Sequence, residues 1–190
     1  MCEWTEIAQK TLSLQQRNFT YHIMKKIFFL LFAALGLVTA CNRLTVNNTP
    51  VKELDLQRYL GTWYEVARFD HRFERGVEQA RAEYSLQSDG SIRVLNSGIK
   101  DGEPSVAEGK AKQTETPALL RVSFFGPFYS DYRVLFVDST YQYALVGSGS
   151  DDYLWLLSRT QRLADSARTV LLDEARQRGY DTRKLLWIKQ

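Results

Sequence analysis

Thiols are nearly missing from this chain of 190 residues, which holds Cys2 and Cys41 and no other cysteine. A disulfide framework and a multi-thiolate zinc site are thereby excluded. Histidine is as scarce, with His22 and His71 only, so a histidine-rich metal centre is excluded as well. No excess of charge stands out: 25 Lys and Arg face 22 Asp and Glu, a formal net charge of +3 without a long block of one sign. That balance leaves no electrostatic footprint for nucleic acid. Four prolines and no low-complexity tract leave no room for a polyproline segment. A membrane-spanning run of about 20 apolar residues is missing too, because the longest, Ile27 to Ala40, has 14.

That short run belongs to a recognisable pattern, "MKKIFFLLFAALGLVTAC" from Met24 to Cys41. Lys25 and Lys26 form a positive start, the apolar stretch follows, and small residues lead into the cysteine, as in a cleaved secretory signal. Residues 1–23 carry Glu3, Glu6, Lys10 and Arg17 without a strong period and would bury the signal behind a polar leader. Translation is therefore expected to begin at Met24, with residues 1–23 dispensable and 24–40 the signal; a genuine extension is the alternative. "LVTAC" at Leu37–Cys41 resembles the lipobox of bacterial lipoproteins. The resemblance implies cleavage before Cys41, diacylation through its sulfur and acylation of the new amino terminus, and Asn42 in place of aspartate implies the outer membrane. Several acyl chains anchor effectively permanently where one would not. A plain secreted protein with an incidental cysteine is the competing reading.

Past Cys41, residues 41–56 are polar and lack a period, which suits a tether. The sixteen residues "NRLTVNNTPVKELDLQ" would reach on the order of 50 Å at full extension. Residues 57–190 then form one domain, long enough to close a single core. Short runs rich in Val, Tyr, Phe and Leu, separated by turn clusters, predict strands near 62–69, 79–87, 91–99, 105–114, 118–125, 130–138, 142–148 and 153–159. Eight such strands in succession predict an all-β fold, an up-and-down antiparallel barrel. Ala82, Tyr84 and Leu86 share one face of their strand; Leu120, Val122 and Phe124 share one face of theirs. A helix is expected from Asp165, as N-cap, to Arg178, with Gly179 at C′. Its stripe of Leu163, Ala167, Val170, Leu171 and Ala175 would lie on the outside of the barrel. A last strand is expected at 185–189.

The stretch "RYLGTWYEVARFDHRFERG" at Arg58–Gly76 resembles the first signature of the lipocalins, with Gly61 and Trp63 as its G-x-W. Ser130-Asp131-Tyr132 is similar to the second signature, and Arg159 stands where the family has its third. The long form of the first signature resembles the bacterial outer-membrane lipoprotein, apolipoprotein D-like branch of the family. The resemblance covers roughly Leu54–Gln190. It implies that Trp63 plugs the closed end of the barrel, that Arg159 lies across its ring, and that Gly61 lets the chain turn beneath the plug.

It also implies a ligand. An eight-stranded barrel has room for one small molecule. The inward set expected to bind it is Tyr84, Leu86, Val94, Asn96, Leu120, Val122, Phe124, Tyr132, Val134, Phe136, Tyr153 and Trp155, with Leu157 beside them. Tyr84, Asn96 and Tyr132 would orient a polar head in an otherwise apolar pocket. The mouth is expected at 70–78, 100–104, 126–129 and 149–152, with Phe125, Phe128 and Tyr129 as a greasy lip. By resemblance the ligand is a long-chain fatty acid or lysophospholipid, stored or transferred in the envelope. A scaffold whose barrel is filled by its own side chains is the alternative, and pairing of two copies is left open. No cofactor is expected. An enzyme is not expected either: His71 is the one histidine past the signal, and no G-x-S-x-G occurs.

Overall fold

The computed structural model describes residues 46–190. The leader, the signal and Cys41 lie outside the described residues. A one-turn helix α1 (Leu56–Tyr59) leads into strands β1 (Gly61–Phe69), β2 (Val77–Leu86), β3 (Ile92–Lys100), β4 (Glu103–Gln113), β5 (Leu119–Phe125), β6 (Phe128–Val137), β7 (Tyr143–Gly147) and β8 (Leu154–Ser158). Helix α2 (Asp165–Gln177), a 3₁₀ turn (Thr182–Lys184) and β9 (Leu185–Trp187) complete the chain. Each of β2 to β8 pairs antiparallel with its sequence neighbour, and β1 pairs with both β8 and β2, which closes the eight strands into a barrel. The strands expected from alternation all form, with ends within two residues of those expected.

Turn chemistry explains the tight connections. Asp101 and Gly102 both take positive φ, 53° and 83°, in the two-residue link from β3 to β4, the backbone twist that a hairpin needs. At the other end, Asp89 accepts from the Ser91 N–H at 3.0 Å and Gly90 has φ 77°.

Two apolar clusters hold the molecule. One fills the closed end of the barrel and includes Tyr59, Trp63, Ile92, Ala111, Leu120, Val134 and Ala144. The other lies outside, between the barrel wall and α2, and includes Val66, Leu135, Leu145, Leu156, Leu171 and Ala175. Within α2, Ala167, Leu171 and Ala175 are buried, whereas Val170 is 40% exposed. At 3.6 residues per turn Val170 stands about 100° from the centre of that stripe, so it does not belong to it. Asp165 is the first helical residue rather than the N-cap; Ala164 holds that position and makes no side-chain cap bond. Gly179 closes the helix at φ 89°, where a side chain would be strained.

The expected free tether is shorter than its sequence implied. Val51 donates its N–H to Val134 O at 2.9 Å, and Val51, Leu54 and Leu56 pack on the closed-end cluster. Apolar side chains at this spacing bind residues 46–56 to the barrel although the segment is polar on average. At the carboxyl end, β9 pairs with β1 over Ala67–Phe69, just where β1 and β2 have parted beyond Tyr64 and Arg81. Gln79 N–H donates to Lys189 O at 2.6 Å, and the Gln190 amide donates to Glu65 O at 2.6 Å and Ala80 O at 3.1 Å, so the last residues bridge the seam.

Candidate ligand-binding site

The closed end is built around Trp63. Its indole N–H donates to Tyr59 O at 2.8 Å, and the Arg159 guanidinium sits 3.8 Å from the ring centroid. Arg159 also donates to the carbonyls of Arg58 at 2.6 Å, Thr62 at 2.7 Å and Leu60 at 2.9 Å. Gly61 turns between them at φ 89°. One cation thus satisfies the carbonyls at the entry to β1 and covers the plug.

Above this plug lies a cavity of about 480 Å³, open at the end opposite Trp63. Its size falls within the range of small-molecule sites, roughly 300–1,000 Å³. The floor is a chain of tyrosines: Tyr84 OH donates to Tyr132 OH at 3.1 Å, and the Tyr132 and Tyr59 hydroxyls lie 2.7 Å apart. Burial pushes all three hydroxyls above the ordinary tyrosine range, so they stay neutral donors and acceptors. The wall is largely apolar or small, with Val94, Ala107, Val122, Phe124, Trp155 and Leu157. Asn96 also faces the cavity, and its side-chain oxygen is buried without a hydrogen-bond partner.

Of the twelve expected ligand residues, Tyr84, Val94, Asn96, Val122, Phe124, Tyr132 and Trp155 line this cavity together with Leu157. The other five do not. Leu86 is 44% exposed, because β1 begins at Gly61 opposite Tyr84 and no strand closes the wall beyond that pair. Leu120 and Val134 do point inward, but they fill the closed-end cluster beneath the tyrosine floor. A register shift between Val134 and Phe136 carries Phe136 to the outer cluster, where it stacks on Tyr143. Tyr153 precedes β8 and stacks on Trp155 at 5.8 Å behind the wall. Residues 126–127 are the two-residue link between β5 and β6 at the mouth, flanked by Phe125 and Phe128 at 81% and 79% exposure. Tyr129 is not part of the lip, since Lys112 covers its ring at 4.8 Å.

The wall also carries a charged cluster that the alternation of β1 did not reveal. Glu65 and Glu74 line the cavity, and Arg68 lies behind them, 2% exposed. Arg68 donates to the Glu65 carboxylate at 2.5 Å and to the carbonyls of Glu74 and Val77 at 2.5 and 3.1 Å. Trp155 donates its indole N–H to Glu74 at 3.0 Å. Burial, reinforced by the neighbouring Glu74, pushes Glu65 up to about 8, and burial also raises Glu74. A register shift between Glu65 and Ala67 brings Arg68 to the same side as Glu65. Glu65 was within reach of sequence reasoning, two residues after the inward Trp63; Arg68 was not, because the bulge inverts its side.

His71 stacks on Phe73 with centroids 4.2 Å apart and lies beside Trp155 at 5.1 Å. Its Nε2 is 3.2 Å from a Glu74 oxygen but is not aligned for a hydrogen bond. Burial depresses it to about 4, so at neutral pH it is an uncharged member of an aromatic stack. Asp131 pairs with Arg121 at 2.6 Å and Arg133 at 2.8 Å, which keeps its carboxyl below the ordinary range.

A closed antiparallel calyx with one plugged end, one open end and an apolar interior defines a class of proteins that hold one small hydrophobic molecule. The family model described as a lipocalin-like domain matches residues 54–190, and the chain belongs to the lipocalin family. It is similar to the outer membrane lipoprotein Blc of Escherichia coli (strain K12), 48% identical over 83% of this chain and 92% of that protein. It is also similar to mouse apolipoprotein D, 36% identical over 72% of this chain and 77% of that protein. Among solved structures, insecticyanin from the tobacco hornworm matches with a TM-score of 0.63 at 21% identity, covering 75% of this chain and 84% of the other, a likeness of fold. As a lipocalin the chain is a ligand carrier rather than an enzyme.

Proposed function

We propose that this lipocalin takes one long-chain fatty acid or lysophospholipid into its barrel, stores or transfers it in the cell envelope, and is held at the outer membrane by acyl chains on Cys41. The observation that carries the reading is the open cavity of about 480 Å³ above the tyrosine floor. An acyl chain gains roughly 0.8 kcal/mol for each methylene taken out of water. The tyrosine hydroxyls, Asn96 and Glu65 offer the few polar points that would fix a head group. Support for the address comes from the Leu37–Cys41 lipobox and from the relatives named outer membrane lipoprotein.

The test is native mass spectrometry with lipid extraction on a detergent-free soluble chain of residues 42–190. About one fatty acid or lysophospholipid per barrel is expected, and the same spectrum reports whether two copies pair. A barrel that carries no lipid and refuses both kinds when they are added would refute the carrier reading and favour an interaction scaffold.

A further inference from the structure

The described chain starts beside the open end of the barrel, not the closed one. Asn47 N–H donates to Arg178 O at 2.8 Å, and the Asn48 side-chain amide donates to Ser148 O at 3.1 Å, just past the mouth end of β7. Val46 shares a depression with Phe69, Asp151 and Tyr180, all at the same end. From there the chain descends the outer wall past Val51 to reach α1 at the base.

Chain length turns this placement into an orientation. Cys41 precedes Val46 by five residues, about 18 Å at full extension. β2 alone has 10 residues, about 33 Å of strand, and at a tilt of roughly 40° the barrel stands about 25 Å high. Acyl chains on Cys41 can reach a leaflet lying against the mouth. They fall short of one lying under the base.

The mouth also carries the surface that suits a leaflet. Phe73, Phe125 and Phe128 are 60%, 81% and 79% exposed and ring the cavity opening. At the base hairpins Leu86 is the one large apolar side chain so exposed among the described residues. Charges around the mouth are of both signs, with Arg72 and Lys100 against Asp101, Glu103, Asp151 and Asp152, so the apolar rings and not a single-signed field would make the contact.

We infer that the mouth of the barrel lies face down on the leaflet that holds the Cys41 acyl chains, with Phe73, Phe125 and Phe128 in its interfacial layer. Lipid then passes between bilayer and cavity without crossing water. The inference rests on the acylation reading given above.

The test uses the full acylated protein in vesicles of phosphatidylethanolamine and phosphatidylglycerol, with an environment-sensitive thiol fluorophore on Phe128→Cys at the mouth or on Ser88→Cys in the β2–β3 hairpin at the base. With Cys41 held as a thioether, each introduced cysteine is the single free thiol. Lipids carrying a spin label near the head group should quench the mouth probe several-fold more than the base probe, with little change on raising the salt. Equal quenching at both positions, or stronger quenching at the base, overturns the orientation while leaving the carrier reading intact. Mass spectrometry of the amino-terminal peptide separates the premise: an unacylated Cys41 removes the tether, and the orientation falls with it.

Discussion

Arg159→Met should destabilise the barrel by about 3 kcal/mol, and the structure supplies the terms. The guanidinium stacks 3.8 Å from the Trp63 centroid, a contact worth about 1 kcal/mol at a partly exposed site. It also makes three hydrogen bonds of 2.6–2.9 Å to the carbonyls of Arg58, Thr62 and Leu60. At roughly 1 kcal/mol each, discounted by a third because solvent reaches the group, these add about 2 kcal/mol. For a domain of this size the sum corresponds to a fall of about 10 °C in Tm. Urea or thermal unfolding followed by tryptophan fluorescence reads both quantities. Arg159→Lys keeps the charge but cannot span three carbonyls, so it should recover less than half of the loss. A methionine variant within about 0.5 kcal/mol of the parent would refute the claim that one side chain fastens the entry to β1 and the plug together.

Three further outcomes follow from the same geometry. Glu65 titrates near 8 in the folded chain against 4.5 in the unfolded one, so the folded state binds more protons in that window and stability should fall as pH rises from about 5 to 8; Glu65→Gln should flatten that part of a Tm profile against pH. Ala107→Trp places a ring in the cavity from a residue that faces it, so saturable uptake of a fluorescent fatty acid should drop at least tenfold while Tm moves by only a few degrees. Removing Ile188–Gln190 strips the partners of Gln79 N–H, Val66 O, Glu65 O and Ala80 O, so the Gln79 amide should exchange with deuterium far faster and Tm should fall.

The eight strands, the helix and the plug of Trp63 and Arg159 were legible along the chain, because alternation and turn residues are local properties and the signature residues stand at readable spacings. Tyr84, Val94, Asn96, Val122, Phe124, Tyr132 and Trp155 were legible for the same reason: each sits where simple alternation holds up to the cavity. Two of the exceptions, Arg68 and Phe136, share a physical cause. Bulges at Glu65–Ala67 and Val134–Phe136 insert a residue without any mark in composition, and one residue is enough to move a side chain to the other face.

Depth along the barrel was equally hidden. Leu120, Val134 and Leu86 follow the inward alternation, yet the tyrosine floor places two of them in solid core and strands the third beyond the wall. The sequence by itself pointed to an up-and-down barrel, because eight short strands in succession are joined by tight turns and the Gly61, Trp63 and Arg159 signatures stand at its entry and exit. Only the tertiary structure decided where the cavity stops, which charges enter it and which end the amino-terminal segment leaves from, since each depends on contacts between residues far apart in the chain.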